Sequence, residues 1–482
     1  MGYADSIRPI RNKMRRFEYS SVLQQISAYL LIDDRTGATR AARMPWIAER
    51  LALWTLRDNP RMYGRTRMQQ TDLMICMNDA WKSSDTLAAL KQANSLDLMI
   101  RSLLIAQVPH QTNHGMGDFA RQIDLLNHID PASKLRQVLD EGLSVSAEDY
   151  LFLALPFWLR TEECIGDVFT PEFLSELQNV FGAPILKDFL RTIVFKRETV
   201  SKEMAAVTDD EWFQPNLMYR YPFVTYNRQR FFWGTPGMRR HFEYAFSDIV
   251  VRSDDARARD SFERWFEEYV GRSLRRAADI VLGEQEVRKR FSVIGQCCDF
   301  AVITPEAIIL LEVKNKALVH TLPATGQAGT YRSKLRATVL KAAMQLDNVE
   351  KHVHGQLDGN PLPVHKVTIT YGDLFLGSGK FLFDDKDEDD LPHILSIDHL
   401  DRLVEAVRLG QCSFDDFFGE FRRRRGIAAE RLFSPSQLLD IEPFKLARHP
   451  RHLAEMFGRF IYRLTERFGV GPEAAASFQL EI

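Results

Sequence analysis

Cysteine is scarce in this sequence, and the little there is forms no pattern. Cys76, Cys164, Cys297, Cys298 and Cys412 are odd in number and scattered through 482 residues. That excludes a disulfide framework and the usual zinc spacings, and it fits a reducing, cytoplasmic setting. Long apolar runs are missing too. No stretch of about 18 apolar residues occurs, so no membrane-spanning helix is expected. The opening MGYADSIRPIRNKMRRF lacks the apolar core of a secretory signal. Net charge is nearly absent: 63 Lys+Arg against 65 Asp+Glu leave −2. Any basic surface for nucleic acid therefore has to be local. No Walker A or dinucleotide fingerprint occurs, and the Gly-Ser-Gly-Lys at 377–380 lacks the spacing of one, which excludes an ATPase or helicase.

What is present is an ordinary globular composition, 45 % hydrophobic and 27 % charged. At roughly 100–200 residues per domain, the length fits two to four domains. Residues 1–210 read as a helical N-terminal domain, with apolar residues at three- and four-residue steps in Pro45–Leu56, Leu96–Ala106, Phe119–His128, Ala147–Leu159 and Pro184–Phe195. Thr170-Pro171-Glu172 has the form of an N-cap followed by a first-turn proline. Residues 211–257 begin with an aromatic, β-prone hairpin, Tyr219–Trp233, turning near Asn227, and return to helix at Met238–Val251. The hairpin reads as core between the N-terminal region and residues 258–400, with base stacking as its functional alternative.

Residues 258–400 alternate. A helix at Asp260–Leu274 precedes strands at Val281–Val287, Cys297–Ile303 and Ile308–Lys314. A helix at Ser333–His352 and strands at His365–Tyr371 and His393–Ile397 follow. That order predicts a compact α/β domain. The acidic run 383–392 reads as an exposed loop away from any nucleic-acid path. Residues 401–482 read as a helical C-terminal region carrying the run Arg422–Arg425 and a helix at Phe457–Phe468.

The segment CCDFAVITPEAIILLEVKNK carries the chemistry. Two apolar runs flank Thr304-Pro305-Glu306-Ala307, which suits a turn. Pairing across this even loop sets Ile303 against Ile308, Ala301 against Leu310 and Asp299 against Glu312. Alternation puts Asp299, Glu312 and Lys314 on one face, with opposed Cβ atoms about 5 Å apart. Two carboxylates that close need a cation between them, or one stays protonated. A hard divalent cation suits oxygen ligands, and Lys314 beside it can orient an attacking water or offset transition-state charge. An exposed cross-strand acid–lysine pair is the ordinary alternative.

Asp299 followed by Glu312-Val313-Lys314 at the end of an apolar strand resembles the PD-(D/E)XK, or restriction-endonuclease-like, nuclease superfamily over residues 260–400. Cys298 stands where the family usually has proline. The resemblance implies a central mixed α/β sheet flanked by helices. It implies one or two Mg²⁺ ions, with Mn²⁺ as a substitute, on Asp299, Glu312 and the Val313 carbonyl. It adds Glu267 on the preceding helix as a further acid, with Glu263 one turn earlier as competitor, and Gln345 on the following helix.

The expected function is metal-dependent endonuclease cleavage of phosphodiesters, DNA more than RNA. The large helical additions match no named family but are like those of anti-phage defence effectors, and 1–210 would receive a protein trigger or a second copy. The alternatives are an inactive nucleic-acid-binding or scaffold protein of the same fold, and an RNA- or tRNA-directed toxin. The basic clusters, Arg422–Arg425 among them, read first as solvated faces; Lys334, Arg336 and Lys341 on the helix after the Lys314 strand are the favoured phosphate contacts among them. His110 and His114 have a zinc-like spacing without a third ligand. Cys297 and Cys298 read as small buried hydrophobes.

Overall fold

The structure is a computed structural model that describes residues 3–32, 43–83, 98, 107, 110, 117–163, 168–204, 217–315, 328–356, 362–383, 386–427, 430 and 434–469. The described residues form two compact units. The first is drawn from within 1–88, 103–259 and 456–481, the second from within 89–102 and 260–455. The expected helix Leu96–Ala106 lies outside the described residues, Leu98 apart.

The first unit is mostly helical. Pro45–Arg57, Gly117–His128 and Ala147–Glu163 follow the apolar periodicity. Thr170 Oγ1 accepts the Phe173 N–H at 3.4 Å and caps Pro171–Phe181. The expected helix Pro184–Phe195 is shorter: Ala183–Ile193 is helical, and Val194–Lys196 leaves it as strand β1. A parallel partner accounts for the change, because β1 pairs with β2 (Phe223–Tyr226), and a β-branched residue followed by an aromatic fits a pleated edge.

Strand β3 (Gln229–Phe232) closes the expected hairpin on β2. Its two-residue turn, Asn227-Arg228, has φ of 48° and 66°, the backbone of a type I′ turn. The aromatics turn inward. Tyr221, Phe231 and Trp233 share a core with Val22, Ile26 and Trp54, and Phe223 stacks on Phe232 at 4.6 Å. The hairpin therefore belongs to the first unit's own core, and its buried rings offer no platform for bases.

The second unit holds a five-stranded mixed sheet of order β4-β5-β6-β7-β8, built from Ile280–Gly283, Phe300–Ile303, Ile308–Lys314, Val364–Thr370 and His393–Ser396. The first three strands are antiparallel, and β7 and β8 then run parallel to β6. Helix α1 (Ala256–Leu274) precedes the sheet. Where a strand Val281–Val287 was expected, β4 stops at Gly283 and helix α2 (Glu284–Phe291) starts. Glu286 accounts for this: its Oε2 accepts the Gly283 N–H at 2.8 Å, fixing the helix start.

Between β6 and β7 the crossover is α3 (Ala328–Leu335), a π turn at Arg336–Leu340 and α4 (Lys341–His354). Ser396 then caps α5 (Ile397–Arg408), and α6 spans Phe414–Arg425.

Both sheet faces are covered. Ala301, Ile308 and Leu310 pack with Leu346, Val349 and Val353 of α4. On the opposite face Phe300 meets α1 where a glycine allows close approach: a Cβ on Gly271 would lie 2.9 Å from the Phe300 ring. Helix α1 is anchored by Asp401 of α5, which accepts from Tyr269 Oη and Ser273 Oγ at 2.8 Å each.

Two charged runs differ in part from expectation. The acidic run is exposed as expected at Asp387, Asp389 and Asp390, but it is also tied to the sheet. Lys366 of β7, 5 % exposed, bridges Asp347 at 3.0 Å, Glu350 at 2.8 Å and Asp390, and Lys386 reaches Asp347 at 2.6 Å. Asp384 and Asp385 lie outside the described residues. The arginine run is not a solvated face. Arg425 is buried and donates to the Leu391 and Pro392 carbonyls, while Arg422 donates to the Val364 carbonyl and meets His365 Nδ1. Arg423 and Arg424 pair with Glu420.

Removing the Lys366 ammonium leaves three partly exposed carboxylates facing one another. Lys366→Met is expected to lower stability by about 1–2 kcal/mol in urea titrations. A loss below roughly 0.5 kcal/mol, the range of ordinary surface changes, would show the cluster to be a solvated decoration.

Candidate metal centre

Strands β5 and β6 pair in the expected register, Ile303 with Ile308 and Ala301 with Leu310, but the ladder stops at Phe300 and Leu311. Asp299 and Glu312 are thus one row past the last pair. Asp299 turns its carboxylate into the gap between the strands, and Oδ2 accepts the Val313 N–H at 2.7 Å. In a strand, the N–H and C=O of one residue point to the same neighbour. The Val313 carbonyl therefore lies on the β5 side of β6 as well.

Glu312 continues the face of Ile308 and Leu310 and is only 1 % exposed. Lys314 follows on that face, and its Nζ donates to Glu312 Oε1. Glu312 Oε2 is buried without a hydrogen-bond partner among the described residues. A buried acceptor left this way costs about 1–3 kcal/mol, and more when ionised. Burial first, and then the charge of Asp299, pushes the Glu312 carboxyl up to about 7 against the pull of Lys314. Burial also raises Asp299, opposed by the Val313 N–H and by Lys314.

Helix α1 brings up a third acid. Glu267 is raised by partial burial, then by Asp299 and then by Glu284, with Lys314 opposing. Glu263 lies one turn earlier on the same helix, and both glutamates are exposed. Helix α4 holds the segment leading into Asp299. Gln345 Nε2 donates to the Cys297 carbonyl at 3.1 Å, and Asn348 Nδ2 donates to the Ile294 and Gln296 carbonyls at 2.9 and 2.6 Å. Gln345 thus works as a positioning residue, with Oε1 buried and unpartnered among the described residues. Cys297 and Cys298 are buried, and Cys298 Sγ donates to the Phe300 carbonyl at 3.3 Å.

Glu284 was not among the residues singled out by sequence. It follows the Gly283–Phe300 pair, so the β4–β5 register carries it to the row of Asp299. The available signal was Gly283-Glu284-Gln285-Glu286 followed by Arg288-Lys289-Arg290: acids in a first turn and bases in a last one, a helix pattern.

The remaining candidates are placed elsewhere. Lys334, Arg336 and Lys341 are exposed, and none makes an ion pair among the described residues. His110 Nε2 lies 3.3 Å from Glu49, and His114 lies outside the described residues. One acidic triad among the described residues has oxygens mutually within 4.8 Å: Asp347, Glu350 and Asp390. Its charge is already answered by Lys366 and Lys386, which argues against a metal there. No helix among the described residues is long and apolar enough to cross a membrane.

Comparisons with family models, with curated proteins and with solved structures find no match for this chain.

A carboxyl raised in the fold contributes its stability below its unfolded pKa and loses it as pH rises through the folded one. For Glu312 that window runs from about 4.5 to about 7. In EDTA, wild-type stability is expected to fall across it by on the order of 2 kcal/mol more than that of Glu312→Gln. Urea midpoints at pH 5 and 8 check this, and parallel pH profiles for the two proteins would refute it.

Proposed function

We propose that the chain is a metal-dependent endonuclease that hydrolyses phosphodiester bonds, DNA in preference to RNA, on a PD-(D/E)XK-like domain. One observation carries the reading: a buried Glu312 oxygen without a hydrogen-bond partner among the described residues, beside Asp299, with Lys314 alongside. A carboxylate has two oxygens to satisfy. This arrangement satisfies one and leaves the other for a cation.

The donor set fits Mg²⁺ or Mn²⁺, since it offers only hard oxygens. Asp299, Glu312, the Val313 carbonyl and Glu267 would hold the ion. When bound, it would lower the pKa of a water and screen the phosphate. The chain's own residues do the rest. Asp299 stays fixed through the Val313 N–H. Lys314 carries an ammonium at the acids, where it can orient the nucleophile and offset charge growing on the phosphoryl oxygens. Gln345 and Asn348 hold the loop ahead of Asp299, so the acid keeps its place. The element order of helix, three antiparallel strands, crossover helix and parallel strand also supports the reading.

Supercoiled plasmid and total RNA, each incubated with Mg²⁺, Mn²⁺ or EDTA, test it. Cleavage of DNA with either metal and none in EDTA is expected. Asp299→Ala, Glu312→Ala and Lys314→Ala should each reduce the rate at least roughly 100-fold. If neither polymer is cut with either metal, or all three variants keep wild-type rates, the reading fails.

A further inference from the structure

The loop Ser292–Gln296 leads from α2 toward Asp299, and side chains of two helices grip it. Asn348 Nδ2 donates to the Ile294 and Gln296 carbonyls at 2.9 and 2.6 Å. Arg288 Nη1 donates to the Gly295 carbonyl at 2.7 Å, and the Ile294 N–H meets His352 Nε2 at 3.4 Å. Gly295 has φ of 83°, a conformation that a Cβ would strain.

What this grip presents is an isoleucine. Val293 is 7 % exposed, but Ile294 is 79 % exposed, more than any other large hydrophobic residue described. A single exposed apolar side chain is ordinary on a protein surface. This one differs in its setting. Ordering a loop costs about 1–2 kcal/mol per residue, and this loop is ordered with its apolar side chain toward water. Isoleucine is also stiff at χ1, so it loses little freedom when it is buried against a partner.

The surroundings are cationic. Lys289 and Arg290 end α2, Lys341 and Lys351 lie on α4, and all four are exposed. By their spacing, Lys341, Met344, Asn348 and Lys351 share one outer face of α4, and Met344 is 65 % exposed. The neighbouring acids are already engaged. Lys366 holds Asp347 and Glu350, Arg288 holds Glu284, and Glu286 caps Gly283. An apolar tip within a cationic surface suits a polyanion with an apolar interior, which describes a base-stacked duplex. Ile294 also lies near the proposed chemistry. Five residues separate it from Asp299, at most about 18 Å of chain, or roughly five base-pair steps.

We propose that the loop Ser292–Gln296 is a wedge for duplex DNA. Ile294 enters the minor groove and presses between adjacent base pairs, while Lys289, Arg290, Lys341 and Lys351 contact phosphates. The inference rests on the endonuclease reading and names how that site engages its substrate.

A wedge unstacks and unwinds the duplex, so a plasmid closed around it keeps a changed linking number. Nicked plasmid sealed by a type IB topoisomerase in EDTA, with increasing amounts of the full chain, tests this without turnover. Wild type is expected to lower the linking number in proportion to the protein bound. Ile294→Ser is expected to bind within about threefold of wild type, because phosphate contacts dominate affinity, but to lose the shift. Lys289→Gln together with Arg290→Gln should weaken binding at least about tenfold and reduce the slope of log affinity against log salt by about two. Leu409→Ser, at another exposed apolar residue, should change neither readout. Circular dichroism checks that each variant is folded, and Ile294→Ala replaces Ile294→Ser if it is not. A shift that persists without Ile294, or wild type that binds plasmid with no shift, would overturn the wedge. So would Ile294→Ser that splits a dimer in sedimentation while plasmid behaviour is unchanged, since the loop would then be a contact between copies. Wild type that binds no plasmid would overturn it as well, and the digestions described above decide the endonuclease reading separately.

Discussion

Strands β5 and β6 separate a single row before the acids would pair, and the organisation of the site follows from that early separation. Where β5 ends, the Val313 N–H loses its strand partner. A backbone donor cannot be left dry at little cost, and Asp299 Oδ2 supplies the acceptor. The same divergence gives the carboxylate somewhere to sit other than against Glu312. Two like charges that a continued ladder would hold face to face share a junction instead, with a backbone dipole holding one and a lysine holding the other.

The surroundings show how much such a junction depends on support from outside the hairpin. Helix α4 grips the approach to Asp299 through Gln345, Asn348 and His352, a set of side chains spaced to share one helix face. Helix α1 comes close because Gly271 lets the Phe300 ring in, and Asp401 ties the helix from behind. Lysine has two roles on this sheet. Lys366 is surrounded by three carboxylates and is fully engaged, so it acts as a rivet. Lys314 meets one carboxylate oxygen and stays partly exposed, the state of a residue that can still exchange partners.

The hairpin register was legible because an even turn between two apolar runs leaves little choice, and pairs such as Ile303–Ile308 follow from counting. The place where pairing stops was not legible, because it depends on a side chain competing for a backbone donor. Glu284 was lost for a different reason. Residues 281–287 begin with apolar residues that suit a strand, and Val287 prolongs the pattern, so the helix start at Gly283 was overrun. The arginine run reads as solvated by composition, yet the carbonyls of Leu391 and Pro392 draw Arg425 inward, and the exposed acidic run is anchored by Lys366. Those are contacts between distant segments of the chain, and local pattern holds no trace of them. The short strand Val194–Lys196 was hidden likewise, since its partner is contributed by a hairpin much later in the chain.

The π turn at Arg336–Leu340 has a geometric effect on the neighbouring surface. In an unbroken α-helix, Lys334 and Lys341 would lie seven residues apart and nearly above one another. One π turn inserts roughly a residue without advancing the buried stripe, which rotates the exposed side by about 100°. The two ammonium groups therefore point along different bearings from one rod. A duplex phosphate track running straight along the helix could meet one of them, while a backbone that curves around it could meet both.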